Sequence, residues 1–213
     1  MRKTILILAA ALFGLLTACS ETPPAHEAAK KEAEPVEPVT GQTALYRMYQ
    51  ASRSWASDSQ VLKCGSIHIG EAPDGPPASG TAAAWQATFV SQQKSEARTY
   101  TYSIVESQGN LHKGVFTGPV ESWSGPRGVD SPFLIAAVKV DTSAAYKTAM
   151  ETPQSKAAEY DKKNPGKPIT WMLEKTSKHP DPAWRIVWGE SPAASNFSVL
   201  IDASTGGYLE TIR

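Results

Sequence analysis

Three short features of this sequence recur at an almost constant spacing in its two halves. Each matched pair lies 97 to 100 residues apart, and the order of the features along the chain is kept. The matched positions are Ala44–Tyr46 with Ala144–Tyr146, Ala84–Trp85 with Ala183–Trp184, and Gly109 with Gly206. A spacing that drifts so little is typical of an internal duplication. We therefore expect the chain to fold as two similar units.

The hydrophobic pattern predicts the same order of elements in each unit. In the first unit, apolar residues at three- and four-residue steps predict a helix over 42–57. Alternating runs then predict strands at 61–69, 84–90, 98–105 and 111–116. In the second unit we expect a strand at 133–140, although Ser131-Pro132 could instead cap a helix there. Helices are expected at 142–151 and 153–163, and strands at 168–174, 184–188, 197–201 and 208–213. A loop rich in Gly, Pro and Ser joins the units over 119–132.

These patterns predict an α+β fold class. The first unit is expected to span 42–118 and the second 133–213, and each is a helix packed on an antiparallel sheet. The composition agrees with a folded protein, because 41% of the residues are hydrophobic and 20% are charged.

The end of the second unit resembles a known family. Residues 182–186 read Pro-Ala-Trp-Arg-Ile, and the strand at 197–201 continues into Asp202-Ala-Ser-Thr-Gly206 and a final strand. A Trp-containing strand, a strand ending in Asp-Ala-x-Thr-Gly and a closing strand are similar to the PepSY domain family. At this turn Asp202 can bond the backbone, and Gly206 or Gly207 can take a positive φ. The turn at 106–110 lacks the Asp and Thr, so the resemblance of the first unit to the PepSY family rests on the repeat alone.

The N-terminal segment has the features of a lipoprotein signal. Arg2 and Lys3 precede an apolar run over 5–16, which is too short to span a bilayer as a stable helix. The run ends in Leu-Thr-Ala-Cys19, which resembles a bacterial lipobox. The resemblance implies removal of the signal peptide 1–18 and acylation of Cys19, and two or three acyl chains anchor a protein stably. An ordinary secretory signal with a chance cysteine is the alternative.

The residue after Cys19 bears on localisation. By resemblance to Gram-negative lipoproteins, Ser20 rather than Asp favours the outer membrane, with the folded part facing the periplasm. The inner membrane and the cell surface stay open as alternatives. Residues 19–41, the lipidated cysteine and its tether, contain four prolines, five glutamates and no Leu, Ile or Phe, so we expect no folded core there.

The sequence offers no motif for catalysis or metal binding. The four histidines show no metal-ligand spacing, and neither a G-x-S-x-G elbow nor a phosphate-binding loop is present. With Cys19 acylated, Cys64 is the remaining thiol, and a lone cysteine in an apolar run is typically a small buried hydrophobe. We therefore expect a protein that is not an enzyme and that carries neither cofactor nor metal. The 21 basic and 21 acidic residues give zero net charge, which argues against nucleic-acid binding.

One tryptophan stands out as a candidate for binding. Most of the six tryptophans lie on predicted apolar faces, but Trp123 lies in the loop between the units, near Arg127. An exposed Trp beside an Arg suits a binding hot spot; alternatively, Trp123 covers the joint between the units.

The PepSY resemblance implies a module that binds or restrains proteases in the envelope. We therefore expect a membrane-anchored, non-catalytic binding or protease-inhibiting module, whose partners are the membrane, through Cys19, and an envelope protein or peptidase. The alternative is a structural or assembly lipoprotein without a specific ligand.

Overall fold

An eight-stranded antiparallel sheet dominates the computed structural model, which describes residues 37–70, 72–107, 109, 111–126 and 130–213. The helices are α1 (Gly41–Trp55), α2 (Thr142–Glu151) and α3 (Ala157–Lys163). The strands of the first half are β1 (Val39–Thr40), β2 (Gln60–Ile67), β3 (Thr81–Ala82), β4 (Ala84–Ser91), β5 (Glu96–Ser103) and β6 (Gly114–Ser122). Those of the second half are β7 (Ile169–Glu174), β8 (Ala183–Trp188), β9 (Ser198–Asp202) and β10 (Tyr208–Ile212). The predicted mixture of helices and antiparallel strands is confirmed.

The strands of both halves belong to one continuous sheet. Its order is β10-β9-β8-β7-β2-β4-β5-β6, so β2 and β7 are neighbours at the centre. These two strands pair antiparallel, with Lys63 opposite Glu174 and Gly65 opposite Met172. The described residues belong to one compact unit, and the regions 42–118 and 133–213 share this sheet rather than forming a sheet each.

The helices pack on one face of the sheet, which carries the large aromatic side chains. Trp85, Trp171, Trp184 and Trp188 point to this face and are at most 2% exposed. Helix α1 contacts β4 and β5, and α2 contacts β8 and β9. Helix α3 reaches the same face, because Asp161 accepts a hydrogen bond from the Trp188 indole at 2.9 Å.

Both long helices begin at a side-chain cap. Thr40 accepts a hydrogen bond from the Thr43 amide at 3.4 Å, and Asp141 accepts one from the Thr142 amide at 2.7 Å. Such caps satisfy amides that have no partner within the helix. Ala44, Leu45 and Met48 then recur on the buried side of α1, as the sequence pattern predicts.

The fold begins before the predicted end of the tether at residue 41. Strand β1 pairs with β3, and Gly41 is buried as the first residue of α1. A Cβ atom at Gly41 would lie 2.6 Å from Trp184 Cη2 and 3.0 Å from Trp85 Cη2, so a residue without a side chain fits here. The hydrophobic pattern of the sequence did not predict this buried position, because such patterns report apolar side chains and Gly41 has none.

The predicted strand at 133–140 is wrong. Phe133 forms a single bridge to Val61, and Ile135–Ala137 is a short 3-10 helix. The carbonyl groups of Val138 and Val140 instead accept hydrogen bonds from the Gln42 amide side chain and the Trp184 indole. Apart from the bridge at Phe133, this apolar run therefore does not join the sheet.

The last strand of the first half is displaced from its predicted position at 111–116. Strand β6 runs from Gly114 to Ser122 and includes Pro119, which begins the expected loop 119–132. Because β6 is an edge strand, a proline there is tolerated.

Candidate functional site

The face of the sheet opposite the helices holds the best-formed candidate site. Successive side chains of a strand alternate between faces. Because Cys64, Trp85 and Leu173 face the helices, their neighbours Lys63, Gly65, Gln86, Thr88, Met172 and Glu174 lie on the other side. We call this side the open face.

A groove of about 420 Å³ crosses the open face where β2 meets β7. Gly65, Gln86, Thr88 and Met172 line it from the central strands, and Asp130 and Glu190–Pro192 line it from loops. A Cβ atom at Gly65 would lie 3.1 Å from the Trp171 carbonyl oxygen, so the glycine allows the close backbone approach at the centre of the groove. Both halves of the chain contribute to this groove.

The groove carries charges of both signs. Lys63 and Glu174 face each other across β2 and β7. Burial raises the pKa of Glu174, and Asp130 adds to the rise, while Arg185 and Lys63 oppose it. Among the residues that the structure describes, the Glu174 carboxylate has no hydrogen-bond donor. The arrangement suits contact with polar groups of a partner, because a half-buried carboxylate gains from a donor.

A hydrogen-bonded chain of Asp74, His68 and Thr170 lies beside the groove. His68 Nδ1 is 2.7 Å from Asp74 Oδ2, and His68 Nε2 is 2.9 Å from Thr170 Oγ1. The order acid, imidazole, hydroxyl is that of nucleophilic catalysis. Here, however, the Thr170 hydroxyl donates to the Gly189 carbonyl oxygen at 2.7 Å, and Thr170 is only 6% exposed. Its proton is therefore not directed at His68, and the geometry does not activate a nucleophile.

Sequence reasoning missed this chain of residues. His68 follows β2, Asp74 lies in a loop rich in Pro and Gly, and Thr170 lies on β7, 102 residues beyond His68. No local pattern relates positions so far apart. The register between β2 and β7 brings them together, and that register could not be predicted from the two halves taken separately.

Cys64 is a core residue. Its side chain is 3% exposed on the helix-bearing side of β2, and burial raises the pKa of its thiol to about 12. A reactive cysteine is instead a thiolate near neutral pH. Cys64 therefore lacks the ionisation that nucleophilic chemistry requires.

The predicted binding residues receive only a partial description. Trp123 is half-buried just after β6, where its backbone amide donates to the Ser95 carbonyl oxygen at 2.9 Å. Arg127 lies outside the described residues, as does the lipidation residue Cys19. The pairing of Trp123 with Arg127 thus stays a prediction.

The turn that follows Asp202 adopts the conformation that its residues predict. Asp202 Oδ1 accepts hydrogen bonds from the amides of Ser204 and Thr205 at 2.7 and 3.0 Å. Gly206 has a φ of 79° and donates its amide to the Asp202 carbonyl oxygen at 2.8 Å. Asp202 therefore has a structural role at this turn.

Comparison with known proteins yields one structural neighbour. No family model matches the chain, and no curated protein matches it. A crystal structure from Clostridium difficile 630, described as a "putative lipoprotein", is 10% identical to this chain. The match covers 84% of this chain and 95% of that one, with a TM-score of 0.45. A likeness at this level is too weak to support an argument about function.

Among the described residues, no helix combines the length and apolar character that crossing a membrane requires. Nor do three or more His, Cys, Asp or Glu side chains converge there in a way that would hold a metal ion.

Proposed function

We propose that this chain is a membrane-anchored, non-catalytic binding module that takes a partner polypeptide on the open face of its sheet. The groove between β2 and β7 carries the proposal, because it is a concave surface at the centre of a sheet face that the helices leave free. Its lining combines the thioether of Met172, the amide of Gln86 and charged groups of both signs. Protein interfaces have a similar mixture of apolar and hydrogen-bonding groups.

Two observations support a role without catalysis. The Cys64 thiol is buried and has a raised pKa, and the Thr170 hydroxyl is committed to a carbonyl oxygen. Neither of these two side chains is thus activated as a nucleophile.

We further propose that the fold is a fused pair of PepSY-like units. Trp85 donates its indole N–H to the Val39 carbonyl oxygen at 3.0 Å, and Trp184 donates to the Val140 carbonyl oxygen at 2.7 Å. Both acceptors lie just before a long helix. The sheet order is also symmetric, since β2, β4, β5 and β6 extend from the centre on one side as β7, β8, β9 and β10 do on the other. A duplicated helix-and-four-strand unit accounts for both features.

The anchor completes the proposal. The lipobox-like Leu-Thr-Ala-Cys19 supports acylation of Cys19, and Ser20 supports the outer membrane, facing the periplasm. The first element of the fold, β1, begins at Val39, so 19 residues, 20–38, separate it from Cys19. The fold would therefore reach partners close to the membrane, and an envelope peptidase is the partner that the PepSY resemblance implies.

Photo-crosslinking in intact cells tests the binding surface. A benzoylphenylalanine replaces Gln86, which is exposed in the groove, in the full anchored chain. The matched control carries the same group at Tyr46, which is 41% exposed on α1, on the opposite side of the sheet. We expect a discrete protein adduct from position 86 and none of that mass from position 46.

A variant that fills the groove provides a second test of the binding surface. Thr88→Arg places a long side chain beside Gln86, and we expect it to abolish the adduct while leaving the melting temperature nearly unchanged, since Thr88 is partly exposed. Equal labelling from both positions, or no adduct from position 86, would favour a structural lipoprotein without a specific ligand.

A further inference from the structure

His68 joins three separate parts of the fold. It follows β2 at the edge of the groove, contacts Asp74 in the loop before β3, and contacts Thr170 on β7. Thr170 in turn bonds the carbonyl of Gly189, the first residue after β8. Gly189 precedes the segment Glu190–Pro192, which lines the groove. His68 is thus connected to one part of the groove wall through two hydrogen bonds.

The hydrogen bonds determine which atoms of His68 carry protons. A carbonyl oxygen only accepts, so the Thr170 hydroxyl must donate its single proton to Gly189. Thr170 Oγ1 can then only accept from His68 Nε2, which must carry a proton. An ionised Asp74 also only accepts, so His68 Nδ1 must carry a proton as well. An imidazole with both nitrogens protonated is a cation.

We propose that His68 is a proton-dependent latch, closed as the imidazolium, that holds the Asp74 loop and the Gly189–Pro192 wall of the groove against β7. A neutral imidazole has one N–H, so it can donate to Asp74 or to Thr170 but not to both. Loss of the proton therefore breaks either the bond to Asp74 or the bond that Nε2 donates to Thr170. In the second case the Thr170 hydroxyl can donate to Nε2 only by giving up its bond to Gly189. The latch itself stands on these contacts, and its effect on partner binding rests on the proposed function.

Each end of the latch is tied into the backbone. Asp74 Oδ1 accepts a hydrogen bond from the Ala83 amide at 2.8 Å, between β3 and β4. The Gly189 amide donates to the Pro168 carbonyl oxygen at 2.8 Å, just before β7. A change at His68 is therefore transmitted to ordered backbone on both sides rather than to free side chains.

The charged groups around His68 favour its cationic form. The hydrogen bond to Asp74 raises the pKa of His68 most, burial opposes it, and the charges of Asp74 and Glu190 raise it further. Lys167 lines the adjoining cavity of about 250 Å³, but its ammonium donates to Tyr160 at 2.9 Å. Because the folded-state pKa is raised, this stabilisation is fully present below the unfolded value of about 6.5. It is lost as the pH rises through the higher folded-state value.

Histidine titration by NMR tests the latch without any ligand. The sample is the full, uniformly isotope-labelled chain in detergent micelles, followed from about pH 5 to pH 9, which spans the usual range of histidine titration. We expect the His68 ring to titrate above pH 6.5 or so, the ordinary value, and the Gly189 amide resonance to follow the same midpoint. Asp74→Asn should lower the midpoint, since it removes the charge that holds the second proton.

A control variant separates the latch from a general effect of histidine charge. His112 also contacts a carboxylate, Glu106, but on an exposed surface. We expect His68→Gln to reduce the pH dependence of the melting temperature more than His112→Gln does. The latch would be wrong if the pH midpoint of His68 lay at or below about 6.5, or if the Gly189 amide resonance did not shift with the His68 titration. Both results come from the wild-type protein, so they do not depend on purifying a variant. If position 86 gives no crosslink but His68 titrates and the Gly189 resonance shifts as expected, the proposed function is wrong and the latch is not affected.

Discussion

Replacement of Trp85 or Trp184 by alanine should be among the most destabilising single changes in this fold. Both side chains are fully buried, and their rings meet edge to face with centroids 6.4 Å apart. A buried tryptophan removes about 150–250 Å² from water, which at roughly 25 cal/mol per Å² corresponds to about 4–6 kcal/mol. Measured large-to-small changes of this kind cost about 3–5 kcal/mol. Since domains of this size have only about 5–15 kcal/mol of stability, either variant should unfold at a much lower urea concentration.

The indole hydrogen bonds allow the loss of stability to be divided into a part from ring burial and a part from hydrogen bonding. Each alanine variant also leaves a carbonyl, of Val39 or of Val140, without its donor, whereas a phenylalanine variant keeps much of the ring volume. We expect the Trp→Phe change to cost less than Trp→Ala at each position, and the two positions to respond alike. Because the rings touch, the double variant should not show the sum of the single losses.

Urea unfolding followed by circular dichroism measures these differences, with Trp123→Ala as a control at a half-buried tryptophan. We expect the control to lose much less stability than either core variant. A Trp85→Ala protein as stable as the wild type would refute both the core assignment and the equivalence of the two tryptophans.

Three further changes test other parts of the structure. Gly41→Ala should cost about 1–3 kcal/mol in urea unfolding despite the better helix propensity of alanine, because the methyl group would overlap Trp184 Cη2; an unchanged midpoint would contradict this packing. Cys19→Ala should leave the protein unprocessed or soluble on cell fractionation, and unchanged recovery in the membrane would refute lipidation as the anchor. Removal of residues 22–33, which precede the described fold, should leave the melting temperature within a few degrees of the wild type; a larger drop would show that this segment contributes to the core.

The elements that follow from local chemistry were predictable. Helix α1 has its apolar residues at helical spacing, and strands β4 and β8 alternate around Trp85 and Trp184. The turn after Asp202 needs a side chain that accepts from backbone amides and a residue with positive φ, and the sequence has Asp202 and Gly206 at these positions. Each of these features is decided within about ten residues, the range over which periodicity and turn chemistry act.

The features that depend on distant pairing were not predictable. The apolar run at 133–140 has the composition of a strand, but its carbonyl groups are engaged by Gln42 and Trp184, which lie on the long helix of the first half and a strand of the second. The groove and the His68 chain exist because β2 pairs with β7, and nothing in either strand alone specifies that partner. Strand register of this kind is set by the whole sheet rather than by local propensity.

The central pairing also explains why the groove belongs to the fused chain rather than to either half. Taken alone, each half would leave β2 or β7 as an unpaired sheet edge, with a row of free backbone donors and acceptors. Joining the two edges pairs the backbone from Lys63 to Gly65 with that from Met172 to Glu174 and places Gly65 of one half against Met172 of the other. The same step brings His68 within reach of Thr170. Stability, the groove and the histidine latch thus have one structural origin, since each depends on the contact between β2 and β7.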